Sequence, residues 1–150
     1  MDRILVGLDA SARSEGVLEA AKELAQRTGG KLILFRAVGV PHEIPAEAYS
    51  MTPASLAELL EREAKKYLDA VAATLPAGLI AQTAVHLGTA WQGICSAADL
   101  HHADMIVIGS HGYSGLDRLI GTTAAKVVNH AKQSVLVVRG HPEIAPPGAG

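Results

Sequence analysis

The chain has 150 residues and a formal net charge of −2, with acidic and basic side chains interspersed. That length fits one domain with a real core, and the charge shows no basic stripe of the kind nucleic acid requires. Cys95 is the only cysteine, which excludes an intramolecular disulfide, and no apolar run approaches the ~18 residues of a membrane span.

In chain order, Arg3 to Leu8 reads as a strand, apolar throughout at Ile4-Leu5-Val6. It begins close to the first residue with no signal-peptide pattern, so the chain is expected in the cytoplasm. Ser14 to Gln26 carries Val17, Leu18, Ala21, Leu24 and Ala25 at helical spacing, and Gly29-Gly30 end that helix. A second strand runs from Leu32 to about Val38. Pro41, Pro45 and Pro53 mark a loop from Gly39 to about Thr52. Ala54 to Leu75 is a long charged helix, ended by Pro76 and Gly78. Ile80 to Leu87 alternates like a half-buried strand near an edge. Ala90 to His101 is the third helix, Met105 to Ile108 the fourth strand, Ala124 to Lys132 the fourth helix and Ser134 to Val138 the fifth strand. The Pro- and Gly-rich residues 140–150 read as a disordered tail, leaving residues 1–139 as the domain. The aromatic residues are Phe35, Tyr49, Tyr67, Trp91 and Tyr113, so the core must be aliphatic.

Strand and helix alternate, which predicts an α/β fold: a five-stranded parallel sheet with helices on both faces. Ligands of such sheets bind beyond the carboxyl ends of the strands, where the strand order reverses. The fourth strand ends in Gly109-Ser110-His111-Gly112, and Gly121-Thr122-Thr123 precede the last helix. Glycines let backbone N–H groups approach an anion, and a helix N-terminus adds about half a positive charge. Thr122 and Thr123 stand where a phosphate needs donors. A strand-to-helix turn without a ligand is the plainer alternative. No lysine follows the glycines, so this is not a P-loop of the Gly-Lys-Ser/Thr kind.

Ile4-Leu5-Val6-Gly7-Leu8-Asp9-Ala10-Ser11, Gly109-Ser110-His111-Gly112 and Ser134-Val135-Leu136-Val137-Val138-Arg139 together resemble the universal stress proteins, from Arg3 to Arg139. The resemblance implies an adenine nucleotide alpha hydrolase-like fold with strand order 3-2-1-4-5. It also implies ATP, with magnesium or manganese arriving on it, held by a Gly-x2-Gly-x9-Gly-Ser/Thr motif. Gly109 and Gly112 match that motif. Gly121 follows Gly112 after eight residues rather than nine, which turns the helix start by about 100°; two successive threonines offer a hydroxyl in either register.

A carboxylate beside a triphosphate would repel it, so the resemblance puts Asp9 at the adenosine end. Gly7 and Ala10 then offer backbone near the base, and Ala37 and Val38 line the adenine pocket. Helix capping by Asp9 or Ser11, and core packing at Ala37 and Val38, are the structural alternatives. His111 stands in the phosphate loop or faces solvent, and Arg118 reaches a terminal phosphate or is a surface cation. His101, His102 and Asp104 form no clear metal set. Cys95 reads as a packing residue, and Trp91 as a pocket floor or a helix cap.

No catalytic residue is assigned. The expected function is adenine-nucleotide binding in stress regulation, with little or no hydrolysis. The alternative is an interaction protein of the same fold that binds no nucleotide. An ATP-pyrophosphatase would need a Ser-Gly-Gly-x-Asp-Ser loop, which Gly7-Leu8-Asp9-Ala10-Ser11 lacks. Ser134 to Val138 is short, apolar and last in the sheet, so a homodimer paired through this strand is expected.

Overall fold

The computed structural model describes residues 2–39, 52–110 and 120–139. His111, Gly112, Tyr113 and Arg118 lie outside them, as do Pro41, Pro45, Tyr49 and the tail. The described residues run β1 (Arg3–Gly7), α1 (Ser14–Thr28), β2 (Lys31–Val38), α2 (Pro53–Ala73), β3 (Ile80–Leu87), α3 (Ala90–Leu100), β4 (Met105–Gly109), α4 (Thr122–His130) and β5 (Ser134–Val138). The strands form one parallel sheet in the order β3-β2-β1-β4-β5. β3 is an edge, as its half-buried pattern along all eight residues requires.

Alternation along each strand builds two cores. Leu5, Ile33, Phe35, Ile106 and Ile108 face α3 and α4, where Ile94, Ala98, Ala124 and Val127 meet them. Ile4, Val6, Leu32, Leu34 and Val107 face α1 and α2, against Val17, Ala21, Ala25 and Leu68. Ile4, Leu5 and Val6 are fully buried because both faces of their strand are covered. Truncating one such residue to alanine costs about 2–5 kcal/mol. At the opposite end of the sheet from the crevice, the Asp104 carboxylate accepts the N–H groups of Asp2 (2.9 Å) and Arg3 (3.0 Å), tying down the first strand.

Element boundaries shift where long-range bonds intervene. β1 stops at Gly7, one residue short of the expected Leu8, because the chain turns away at Ala10, whose φ is 65°. α1 runs on to Thr28 and ends at Gly29, with φ 74° and its N–H on the Ala25 carbonyl. Thr52 caps α2 by accepting the Ser55 N–H at 3.1 Å. α4 starts at Thr122 rather than Ala124 and ends at His130 rather than Lys132. Gly121 is its extended N-cap (φ −63°, ψ 162°), held by an N–H donated to the Ser110 carbonyl at 2.7 Å. The helix therefore begins at once, and the two threonines occupy its first turn.

Candidate functional site

β1 feeds α1 toward β2 on one side, while β3 feeds α3 across to β4 on the other. The strand order reverses between β1 and β4, which opens a crevice at their carboxyl ends. Three segments border it: the loop from Gly7 to Ser14, the end of β2, and the Gly109–Ser110 and Gly121–Thr123 pair of segments. β2 outruns its neighbour. Gly7 pairs with Phe35, so Ala37 and Val38 stand about 7 and 10 Å further along at ~3.3 Å per residue. They form a side wall. Ala37 also packs on the α3–α4 core, and the Val38 carbonyl accepts the Gly88 N–H at 2.9 Å. Wall and packing coexist there.

Asp9 organises the β1 loop. Its Oδ1 accepts the Ser11 N–H (2.9 Å), the Ser11 hydroxyl (2.6 Å) and the Ser14 hydroxyl (2.8 Å). The Ser14 oxygen accepts the Asp9 N–H in return, at 3.1 Å. Burial opposes ionisation, but the Ser11 and Ser14 hydrogen bonds outweigh it and hold the carboxyl below its ordinary value. Asp9 and Ser11 do not cap α1: the N-cap is Arg13, without a side-chain cap bond. The carboxylate instead folds its own loop, with one oxygen committed. Oδ2 takes no hydrogen bond from a described residue. Ala10, exposed at φ 65°, is strained for a residue with a Cβ.

Across the switch point, Ser110 follows β4 and is 2% exposed. Its N–H donates to the Val138 carbonyl at 2.9 Å while its own carbonyl holds Gly121. This joins the two halves of the glycine motif at their roots. α4 has no side-chain cap. Its first hydrogen bond within the helix goes from the Ala125 N–H to the Gly121 carbonyl, at 2.9 Å. The Thr122, Thr123 and Ala124 N–H groups thus find no acceptor among the described residues, the usual condition of an anion-receptive helix end. Both threonine side chains are exposed.

Packing by itself accounts for two of the glycines. A Cβ on Gly7 would stand 2.9 Å from Ile108 Cγ2, and one on Gly109 would stand 3.2 Å from Val17 Cγ2. Gly7 thus makes room for a side chain of the neighbouring strand β4, and Gly109 for one of α1. Trp91 does not cap α3, whose N-cap is Thr89. Its ring lies 4.5 Å from that of His130 and 5.4 Å from Lys126 Nζ, joining α3 to α4. Cys95 is half-buried, and burial together with Asp99 raises its thiol pKa. The Gln82 side-chain amide donates to His101 Nδ1 at 2.7 Å, while Asp104 accepts the Asp2 and Arg3 N–H groups. Ser14 and Ser110 escape a reading of the chain alone. The signals that would find them are a hydroxyl five residues after Asp9 and a polar residue directly after a buried strand.

These features define a doubly wound α/β domain whose ligand crevice lies at the β1/β4 switch point. Comparison with known proteins makes this specific. The model of the Universal stress protein family matches residues 1–139, and the chain belongs to that family. It is 33% identical over 138 residues to Universal stress protein A homolog 2 of Coxiella burnetii, covering 91% of this chain and 94% of that one. Among solved structures, universal stress protein UspA from Lactobacillus plantarum superposes with a TM-score of 0.70 at 29% identity, covering 92% of this chain and 97% of that one. A universal stress protein in complex with cAMP matches with a TM-score of 0.59 at 27% identity, covering 92% and 96%. No described helix is long and apolar enough to cross a membrane.

Proposed function

We propose that this universal stress protein is a regulatory protein that binds an adenine nucleotide, ATP with magnesium or manganese carried on its phosphates, at the β1/β4 switch point. The observation that carries this reading is the pairing of two complementary ends across one crevice. On the β1 side, Asp9 keeps Oδ2 available for the hydroxyl or amino donors of adenosine, with Gly7 and Ala10 backbone beside it and Ala37 and Val38 as an apolar wall. On the β4 side, the first turn of α4 offers phosphate two hydroxyls and N–H groups that no described residue accepts. The carboxylate and the anion-binding end stand on opposite rims, which is the polarity a nucleotide requires. The relative solved with cAMP shares the adenine nucleotide chemistry of this assignment.

Turnover is expected to be slow. Fast hydrolysis needs a positioned base or water-orienting group together with charge stabilisation, and no residue is assigned those roles. A homodimer through Ser134 to Val138 belongs to the same proposal. β5 pairs with β4 on one side, Leu136 on this strand is 39% exposed and Val128 on α4 49% exposed, and such an edge favours a symmetry mate.

Calorimetric titration with ATP, with and without magnesium, and with cAMP tests the site on wild type and Gly112→Val. Saturable binding to wild type, weakened at least tenfold in a folded variant, is expected. Absence of binding to wild type, or unchanged affinity in the variant, overturns the assignment. A phosphate-release turnover near the enzyme median of ~10 per second overturns the regulatory reading.

A further inference from the structure

The sheet ends on β3, which pairs with β2 on one side only. Natural edge strands are blunted by lysine, proline, shortness or a covering segment. β3 is eight residues long and contains no lysine, arginine, carboxylate or proline. Its register shifts only opposite Leu32 and Ile33, so Gln82 to Leu87 run regularly. The Gly88 N–H reaches across to the Val38 carbonyl at 2.9 Å. Successive residues of a parallel ladder bond to alternate sides, so Thr83, Val85 and Leu87 turn their N–H and C=O groups outward. No described residue accepts those three N–H groups.

A slot opens on the same strand. A cavity of about 140 Å³ lies between β3 and α3, lined by Phe35 and Ala84 from the sheet and by Gly93, Ala97 and Leu100 from α3. Val85 lines it too, although its side chain packs on the α1–α2 core of the opposite face; the main chain of Val85 is therefore what borders the cavity. Leu100 is 73% exposed, a large apolar side chain left in solvent at the slot. A cavity of ~150 Å³ admits a benzene ring, so this one admits a leucine side chain. Among the polar residues of the lining, His101 is held by Gln82 at 2.7 Å and Ser96 is exposed on α3.

A second copy of β3 does not complete this site. A two-fold pair of β3 strands centred on the outward-facing Val85 sets His86 of one copy opposite Ala84 of the other, at the slot. The His86 ring is already seated against its own chain, where a Cβ on Gly93 would stand 2.4 Å from it and one on Gly88 3.2 Å. It cannot also enter the slot of another copy. We infer that the β3 edge binds an extended peptide segment of another protein, which adds a strand to the sheet and places an aliphatic side chain of leucine size in the slot. Main-chain bonds to Thr83, Val85 and Leu87 supply affinity, and the slot supplies selectivity. Thr83, Val85, Ser96 and Leu100 take no part in the switch-point crevice, so this inference stands apart from the nucleotide reading.

The test is calorimetric titration of the full chain with an acetylated and amidated nonapeptide, threonines around a central leucine with a lysine at each end for solubility. A twin peptide carries alanine at the centre. The leucine peptide should bind wild type saturably and at least tenfold more tightly than the alanine peptide, and hydrogen exchange should show the Val85 N–H newly protected. Val85→Pro removes that outward N–H without costing a bond of the β2 ladder and should weaken the leucine peptide at least tenfold; should it fail to fold, Thr83→Pro removes the neighbouring outward N–H. Ser96→Phe, which fills the slot from an exposed helix position, should erase the preference for leucine. The absence of saturable binding, equal binding of the two peptides, an unprotected Val85 N–H, affinity that survives the proline variant, or a preference that survives Ser96→Phe overturns the proposal. Self-association of the chain that Val85→Pro abolishes also overturns it, by making a second copy the occupant.

Discussion

Gly93 offers a test of how tightly the layers are packed, because one substitution should change sign with its neighbour. It lies early in α3, with its N–H on the Thr89 carbonyl at 3.1 Å, and it is buried. In an unencumbered helix, replacing glycine by alanine is favourable by ~1 kcal/mol. Here the new Cβ would stand 2.4 Å from His86 Cδ2, 2.5 Å from its Cγ and 2.9 Å from its Cβ. Rotating the imidazole relieves the first two contacts. The third belongs to a carbon fixed to the β3 backbone, so α3 must also lift slightly from the sheet. Overpacking of this kind costs ~1–3 kcal/mol. Set against the helical gain, Gly93→Ala should destabilise by up to roughly 2 kcal/mol, with a melting temperature lower by up to about 8 °C at ~2–4 °C per kcal/mol for a domain of this size. With His86→Ala as background the ring is gone and only the 2.9 Å approach to the Cβ remains, which a small lift of α3 relieves. The same glycine-to-alanine change should then be neutral or stabilising by up to ~1 kcal/mol. Urea unfolding followed by circular dichroism, run as a double-mutant cycle, should return a coupling of about 1–3 kcal/mol. A stabilising Gly93→Ala in wild type, or an equal penalty in both backgrounds, would refute the packing argument.

Three further outcomes follow from the site and the sheet edge. Asp9 has a folded pKa below its ordinary 3.8, so the unfolded chain binds more protons at low pH, and the stabilisation from its ionised form is complete above 3.8 and is lost as pH falls through the lower folded value. Asp9→Asn should therefore be less stable than wild type near neutrality, with a gap that narrows as pH drops below 3.8; a gap independent of pH would contradict the hydrogen-bond assignment. Ala10→Gly should be neutral or stabilising by up to ~1 kcal/mol, since relief of ~1–2 kcal/mol of left-handed strain exceeds the ~0.4–1 kcal/mol of added unfolded-state entropy, whereas the β-branched Ala10→Val should destabilise in the same thermal assay. Light scattering of wild type should give about twice the 15.6 kDa chain mass, and Val137→Glu should shift it toward monomer; a wild-type monomer at micromolar concentration would exclude pairing through β5.

Much of this architecture is written locally. The unbroken apolar run Ile4-Leu5-Val6 can only be a strand covered on both faces, and the mixed pattern from Ile80 to Leu87 can only be one covered in part, so centre and edge of the sheet are legible from the chain. The glycines after β4 mark the strand-to-helix connection at the switch point, where the chain leaves the sheet. What tertiary structure alone decided are contacts between residues far apart in sequence. Asp9 looks like a helix cap by spacing, yet its carboxylate closes its own loop through Ser11 and Ser14, because the left-handed turn at Ala10 brings those hydroxyls inward. Thr122 joins α4 because the Ser110 carbonyl pins Gly121 in place, a bond that spans a loop and leaves no trace in periodicity. Gly7 and Gly93 are small to admit Ile108 and His86, partners set by sheet order rather than by neighbours in the chain. Arg36 meets Tyr67 only when β2 and α2 pack on one another, since local pattern reports which face a residue occupies and only the assembled layers determine what stands opposite.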